Sequence, residues 1–195
     1  MDQQFRNVNT TIKTEANEIL CKKGLLDLLK SYGTPHLSGS YELELMTWKD
    51  LDIYLEVGEV NEEICFELGS KICTHFHPAR MNFRNEFIGK TDGLPNGMYW
   101  GVHLKSQQDE GWKIDIWIVS PAECKRMLDF VSQIKNKLTP ETADYIMDIK
   151  SKCWMNPLYR RSFTSSDIYS AVLDNKVTSY NEFMDFIHKK IFINK

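Results

Sequence analysis

The chain has 195 residues and a formal net charge of −3. That length suits one domain, or a core with a small appendage. The near-neutral balance excludes a strongly basic protein that coats nucleic acid, though not one that binds a nucleotide. No apolar run is long enough to span a membrane, and the opening MDQQFRNVNTTIKTEANEIL lacks the apolar segment of a signal peptide. Cys21, Cys65, Cys73, Cys124 and Cys153 are odd in number and none has zinc-site spacing to another. Reduced thiols in a cytoplasmic protein are the expectation.

In chain order, the first predicted element is a helix over 10–31. Ile12, Ala16, Ile19, Leu20 and the leucines from Leu25 to Leu29 give it an apolar face. TPHLSGS reads as a short strand ending in a small-residue turn, YELELMTWK as a helix or half-helix, and LDIYLEV as a strand. Asn61 is a helix cap, with Ile64, Leu68, Ile72 and Phe76 four apart behind it. Strands are predicted over 81–88, 98–105 and 112–119, joined by KTDGLPNG and SQQDEG turns and so antiparallel. From Pro121 the pattern is helical, with starts at Thr139-Pro140 and at Ser179, where Glu182 completes a capping box. The reading is an α/β (α+β) core over 1–120 with a mixed sheet flanked by helices, followed by a helical region over 121–195.

Asp50 and Asp52 are two apart on a strand, so they share a face. Neighbouring carboxylates raise each other's pKa, and a divalent cation removes that penalty. Mg²⁺ suits carboxylates combined with phosphate oxygens and water. In GWKIDIWIVS, Asp115 shares a face with Lys113, Trp117 and Val119. If that strand lies beside the first, three carboxylates converge, enough for two metal ions and in-line displacement at phosphorus. Nine residues separate Gly39-Ser40 from Asp50. The backbone N–H groups of Gly39-Ser40 and the Ser40 hydroxyl can bind phosphate oxygens, aided by the positive end of a helix that starts just after Ser40. Lys113, on the Asp115 face, is the best-placed lysine for a phosphate contact. Arg160-Arg161 beside Tyr159 are candidates for a triphosphate or an acidic acceptor. Cys73, His75 and His77 in CTHFHP cannot share one helix face, so they read as a surface helix end.

Gly39-Ser40, Asp50-Leu51-Asp52-Ile53 and Ile114-Asp115-Ile116 together resemble the signature of the DNA polymerase β-like nucleotidyltransferase superfamily. That superfamily includes the minimal and the antibiotic nucleotidyltransferases. The match covers 37–119. The tail SDIYSAVLDNKVTSYNEFMDFI is similar to that of small bacterial members. The resemblance implies a Mg²⁺-dependent (or Mn²⁺-dependent) enzyme that transfers a nucleoside monophosphate from a nucleoside triphosphate such as ATP to an acceptor. Asp50 and Asp52 would ligate the metals. Asp115 would hold the second metal and help activate the acceptor hydroxyl, and Gly39 and Ser40 would hold the triphosphate. The acceptor is not named by the sequence; a small molecule such as an antibiotic is one candidate.

Glu42 and Glu44 stand where many relatives carry basic or small residues. On a helix, residues two apart point to different faces, so at least one leaves the site. The same two residues support a second reading, a non-catalytic nucleotide-binding or antitoxin-like protein that keeps the cleft. A third is an interaction module whose helical tail forms a homodimer.

Overall fold

The computed structural model describes residues 2–105 and 111–193. Helix α1 (Gln3–Asn17) runs into a π-helical turn (Glu18–Lys22) and then α2 (Leu25–Lys30). Next come β1 (Thr34–Ser38), the single turn α3 (Gly39–Glu42), β2 (Asp50–Glu56), α4 (Glu62–Phe76) and β3 (Arg80–Asn85). The short α5 (Glu86–Gly89) leads to β4 (Gly97–Leu104) and β5 (Trp112–Val119). Four helices close the chain: α6 (Pro121–Lys137), α7 (Pro140–Cys153), α8 (Ser165–Asn175) and α9 (Tyr180–Ile193).

The five strands form one mixed sheet in the order β1-β2-β5-β4-β3. Among the described strands only β2 and β5 are parallel neighbours; the other neighbours are antiparallel. The long path from β2 through α4, β3 and β4 is what permits this parallel pair, because parallel strands cannot be joined by a tight turn. The expected mixed sheet with flanking helices is the architecture observed.

Four local expectations need correction. The helix over 10–31 is interrupted by the π-helical turn and by Gly24, whose φ of +74° starts α2 from left-handed backbone. The helix or half-helix expected across 41–49 is reduced to the single turn α3, since Glu44 at φ +58° turns the chain out of helical geometry. The strand over 81–88 stops at Asn85, whose side chain accepts the Phe87 N–H and caps α5. At the last helix Ser179 Oγ does accept the Glu182 N–H, but the Glu182 carboxylate reaches back to the Thr178 N–H at 2.8 Å. The SQQDEG turn falls on 106–110, outside the described residues, apart from Gly111.

Strand alternation divides β2 and β5 cleanly. Leu51, Ile53 and Leu55, with Ile114, Ile116 and Ile118, are buried on one face against α1, α2 and α4. Each such side chain contributes about 1.5–3 kcal/mol of burial. The opposite face carries Asp50, Asp52 and Tyr54 beside Lys113, Asp115 and Trp117. Its far half is covered by α6 through Tyr54, Trp117, Val119 and Cys124. Helices α6 to α9 share a second core around Ile146, Ile149, Ile168 and Phe183, which Leu43 and Leu45 join from the loop after α3. The near half of the polar face therefore stays open, between the sheet and the helices.

Candidate active site

Parallel pairing sets Asp52 opposite Asp115 and Asp50 opposite Lys113. The four side chains point from adjacent strands into one cleft of about 670 Å³, lined also by Gly39, Ser40 and Arg160. Gly39, Ser40, Asp50, Asp52, Lys113 and Asp115, all singled out from the sequence, thus line a single cavity. The acids lie at the N-terminal half of β2 and the middle of β5, where the covering helices have not yet closed over the sheet.

Gly39 fixes the approach of the turn to the acids. Its φ is +57°, a left-handed value that a side chain resists. A Cβ there would meet Asp52 Oδ2 at 2.0 Å. The backbone after β1 therefore rests directly on the Asp52 carboxylate. The helix expected behind Ser40 is a single turn, so its dipole is small and its contribution is a few N–H groups. Glu42 and Glu44 turn outward, to Lys135 at 2.6 Å and Lys13 at 2.7 Å. Neither adds charge to the cleft.

The three carboxylates have unequal surroundings. Asp50 accepts from Arg160 Nη2 at 2.7 Å, Trp48 Nε1 at 3.4 Å and Lys113 Nζ at 3.5 Å. Asp115 accepts from the Tyr99 hydroxyl at 2.6 Å and pairs closely with Lys113. Asp52 has no hydrogen-bond or ion-pair partner among the described residues. Burial, then the negative charges of Asp50 and Asp115, push its pKa far above the ordinary carboxylate range. Burial works against the Lys113 ammonium, but Asp50 and Asp115 outweigh it and hold its pKa up. Lys113 is therefore a counter-ion to two of the acids in this state, rather than a free phosphate ligand.

Three further groups were missed or underweighted in the sequence. Lys150 on α7 is fully buried, with Nζ donating to the Leu45 carbonyl at 2.7 Å and lying 4.7 Å from the Trp48 ring centre. Burial pulls its pKa down to about 7, and Asp50 and Asp52 oppose that shift. Its signal was present: Ala143, Ile146, Met147, Lys150 and Cys153 form one helical stripe, so this lysine sits on an apolar face. Tyr99 left no sequence trace, because its hydroxyl reaches Asp115 only through strand pairing. Arg160 was one of two candidate arginines. The loop before α8 carries it to Asp50 in left-handed backbone at φ +63°, with Tyr159 held by Ser165 Oγ at 2.9 Å. CTHFHP forms no cluster: His77 is the left-handed cap of α4, and His75 contacts the Lys23 carbonyl.

No protein-family model matches the chain, and no curated protein matches it. Solved structures do. A cytoplasmic RNA terminal U-transferase superposes with a TM-score of 0.54 at 14% identity, over 90% of this chain and 55% of its own. Cid1, described for its RNA terminal uridylyl transferase activity, gives 0.53 at 14% identity, over 90% and 53%. A Cid1 poly(U) polymerase mutant bound to MgATP gives 0.53 at 15% identity, over 90% and 56%. The chain has a nucleotidyltransferase fold. This is the polymerase β-like fold that Gly39-Ser40, Asp50-Leu51-Asp52 and Ile114-Asp115-Ile116 resembled in the sequence. The chain spans about half the length of these nucleotidyltransferase structures.

Proposed function

We propose that the protein is a Mg²⁺-dependent nucleotidyltransferase, moving a nucleoside monophosphate from a nucleoside triphosphate to an acceptor hydroxyl. One observation carries the reading: Asp50, Asp52 and Asp115 converge from two adjacent parallel strands on the floor of an open cleft. Burial and the two neighbouring acids raise the Asp52 pKa, and a cation bound beside it would relieve that repulsion. An all-oxygen donor set suits Mg²⁺ or Mn²⁺. Asp50, Asp52 and Asp115 would hold the ions, which supply charge neutralisation at the triphosphate when bound.

The chain's own residues supply the rest. Gly39 and Ser40 offer backbone N–H groups and a hydroxyl to phosphate oxygens. Asp115, oriented by Tyr99, takes the proton of the acceptor hydroxyl. The acceptor oxygen bonds to the α-phosphorus while the bond to the bridging oxygen breaks, and pyrophosphate leaves. Lys113 and Arg160 are placed to turn from the acids toward phosphate once cations replace them. The acceptor is a small molecule such as an antibiotic, or an RNA terminus as named for the similar structures. The five free cysteines support a reducing, cytoplasmic setting.

A second reading is favoured by one specific contact set. Lys113 and Arg160 already satisfy Asp50 and Asp115. A protein that keeps these pairs would bind a nucleotide or a partner, antitoxin-like, without transferring anything. Titrating Mg²⁺ with labelled ATP, GTP, CTP and UTP into wild type and Asp52→Asn separates the outcomes. Metal-dependent binding lost in Asp52→Asn supports the site. Its absence in wild type defeats the enzyme reading, and binding without transfer to any offered acceptor favours the second.

A further inference from the structure

At the other end of β2 a second cluster forms from residues that the cleft does not use. His36 lies on edge strand β1, Glu56 on the last position of β2 and Cys124 in the first turns of α6. The imidazole Nε2 lies 3.1 Å from Glu56 Oε2. One ligand atom from each of the three side chains falls within 4.8 Å of the other two. Glu56 is four residues beyond Asp52, about 13 Å along the strand, and none of the three lines the cleft.

We propose that His36, Glu56 and Cys124 form a Zn²⁺-type metal site that clamps α6 to the edge of the sheet. The donor set decides the class of ion. One thiolate, one imidazole and one carboxylate suit a borderline-soft ion such as Zn²⁺ or Co²⁺, and do not suit Mg²⁺. Bonds of about 2.0–2.3 Å in a tetrahedron separate ligand atoms by about 3.5 Å, so a small contraction of the cluster completes the site. The geometry also gives access. Cys124 is fully buried, while the His36 and Glu56 side chains keep 29% and 33% of their exposure. The ion enters from the solvent side, and water takes the fourth position. The burial of Cys124 argues against a nucleophile, which needs an accessible thiolate. A clamp has a structural task here, because β1 is held in the sheet on one side only.

Co²⁺ is the probe, since a thiolate ligand gives a sulfur-to-cobalt charge-transfer band in the near ultraviolet. One equivalent of Co²⁺ per chain should produce that band together with the intense visible bands of tetrahedral Co²⁺, and Zn²⁺ should displace both. Cys124→Ser should abolish the charge-transfer band. His36→Ala and Glu56→Gln, at partly exposed positions where folding is checked by melting, should weaken Co²⁺ binding at least tenfold. Asp52→Asn should leave the band unchanged, so failure here and failure of the nucleotide site are read separately. No band at millimolar Co²⁺ overturns the proposal. So does a band that survives in Cys124→Ser, which would place the metal on another cysteine.

Discussion

Asp52 and Asp115 face each other across the parallel pair β2–β5, and among the described residues Asp52 has no hydrogen-bond or ion-pair partner, so the Lys113 and Lys150 charges offset only part of the repulsion. In the metal-free protein this is a cost. The folded-state pKa of Asp52 is raised, so stability is unaffected by it below pH 3.8 and declines as pH climbs from there through the raised folded value. Asp52→Asn should therefore be more stable than wild type at pH 8 in EDTA, by roughly 1 kcal/mol or more. Mg²⁺ should raise the melting temperature of wild type and leave that of the variant unmoved. A variant less stable than wild type in EDTA would contradict this account.

The same carboxylate restrains Gly39. Gly39→Ala meets both a left-handed φ, costing about 1–2 kcal/mol, and the Asp52 oxygen in its path. We expect a lower urea midpoint together with at least tenfold weaker metal-dependent nucleotide binding. In Asp52→Ala the obstructing oxygens are gone, so adding Gly39→Ala should cost less there than in wild type. Equal costs in the two backgrounds would show that the contact is not felt.

Arg160 competes with cations for Asp50. It is partly exposed, so its pairing is worth about 1 kcal/mol or less to the fold. Arg160→Gln should tighten Mn²⁺ binding in the absence of nucleotide, and weaken triphosphate binding at saturating metal. Isothermal titration in the two formats reads the opposite signs. Weaker binding in both would make Arg160 a structural support only.

Lys150 gives a pH signature. Its folded pKa is near 7 and its unfolded value 10.5. Between these the unfolded chain binds the extra proton, so this group makes stability rise with pH from about 7 to about 10.5, by at most about 1.4 kcal/mol per unit. The difference in unfolding free energy between wild type and Lys150→Met, measured from pH 7 to pH 9.5 in EDTA, should shift in favour of wild type. A flat difference would mean that the ammonium stays charged in its pocket.

The sequence by itself determined the elements that carry the chemistry. Strand alternation put Asp50 with Asp52 and Lys113 with Asp115, because a period of two is local and needs no partner. The Gly39-Ser40 turn and the Asn61, Thr139 and Ser179 helix starts are equally local. Tertiary structure alone decided what these residues meet. Strand order and register brought Asp115 opposite Asp52 and Tyr99 within reach of Asp115. The loop before α8 delivered Arg160 from 110 positions away to Asp50. The pairing of β1 with β2 and the packing of α6 assembled His36, Glu56 and Cys124, which share no spacing in the chain. Such contacts come from the folding of distant segments onto one sheet, and side-chain periodicity along a single segment does not encode them.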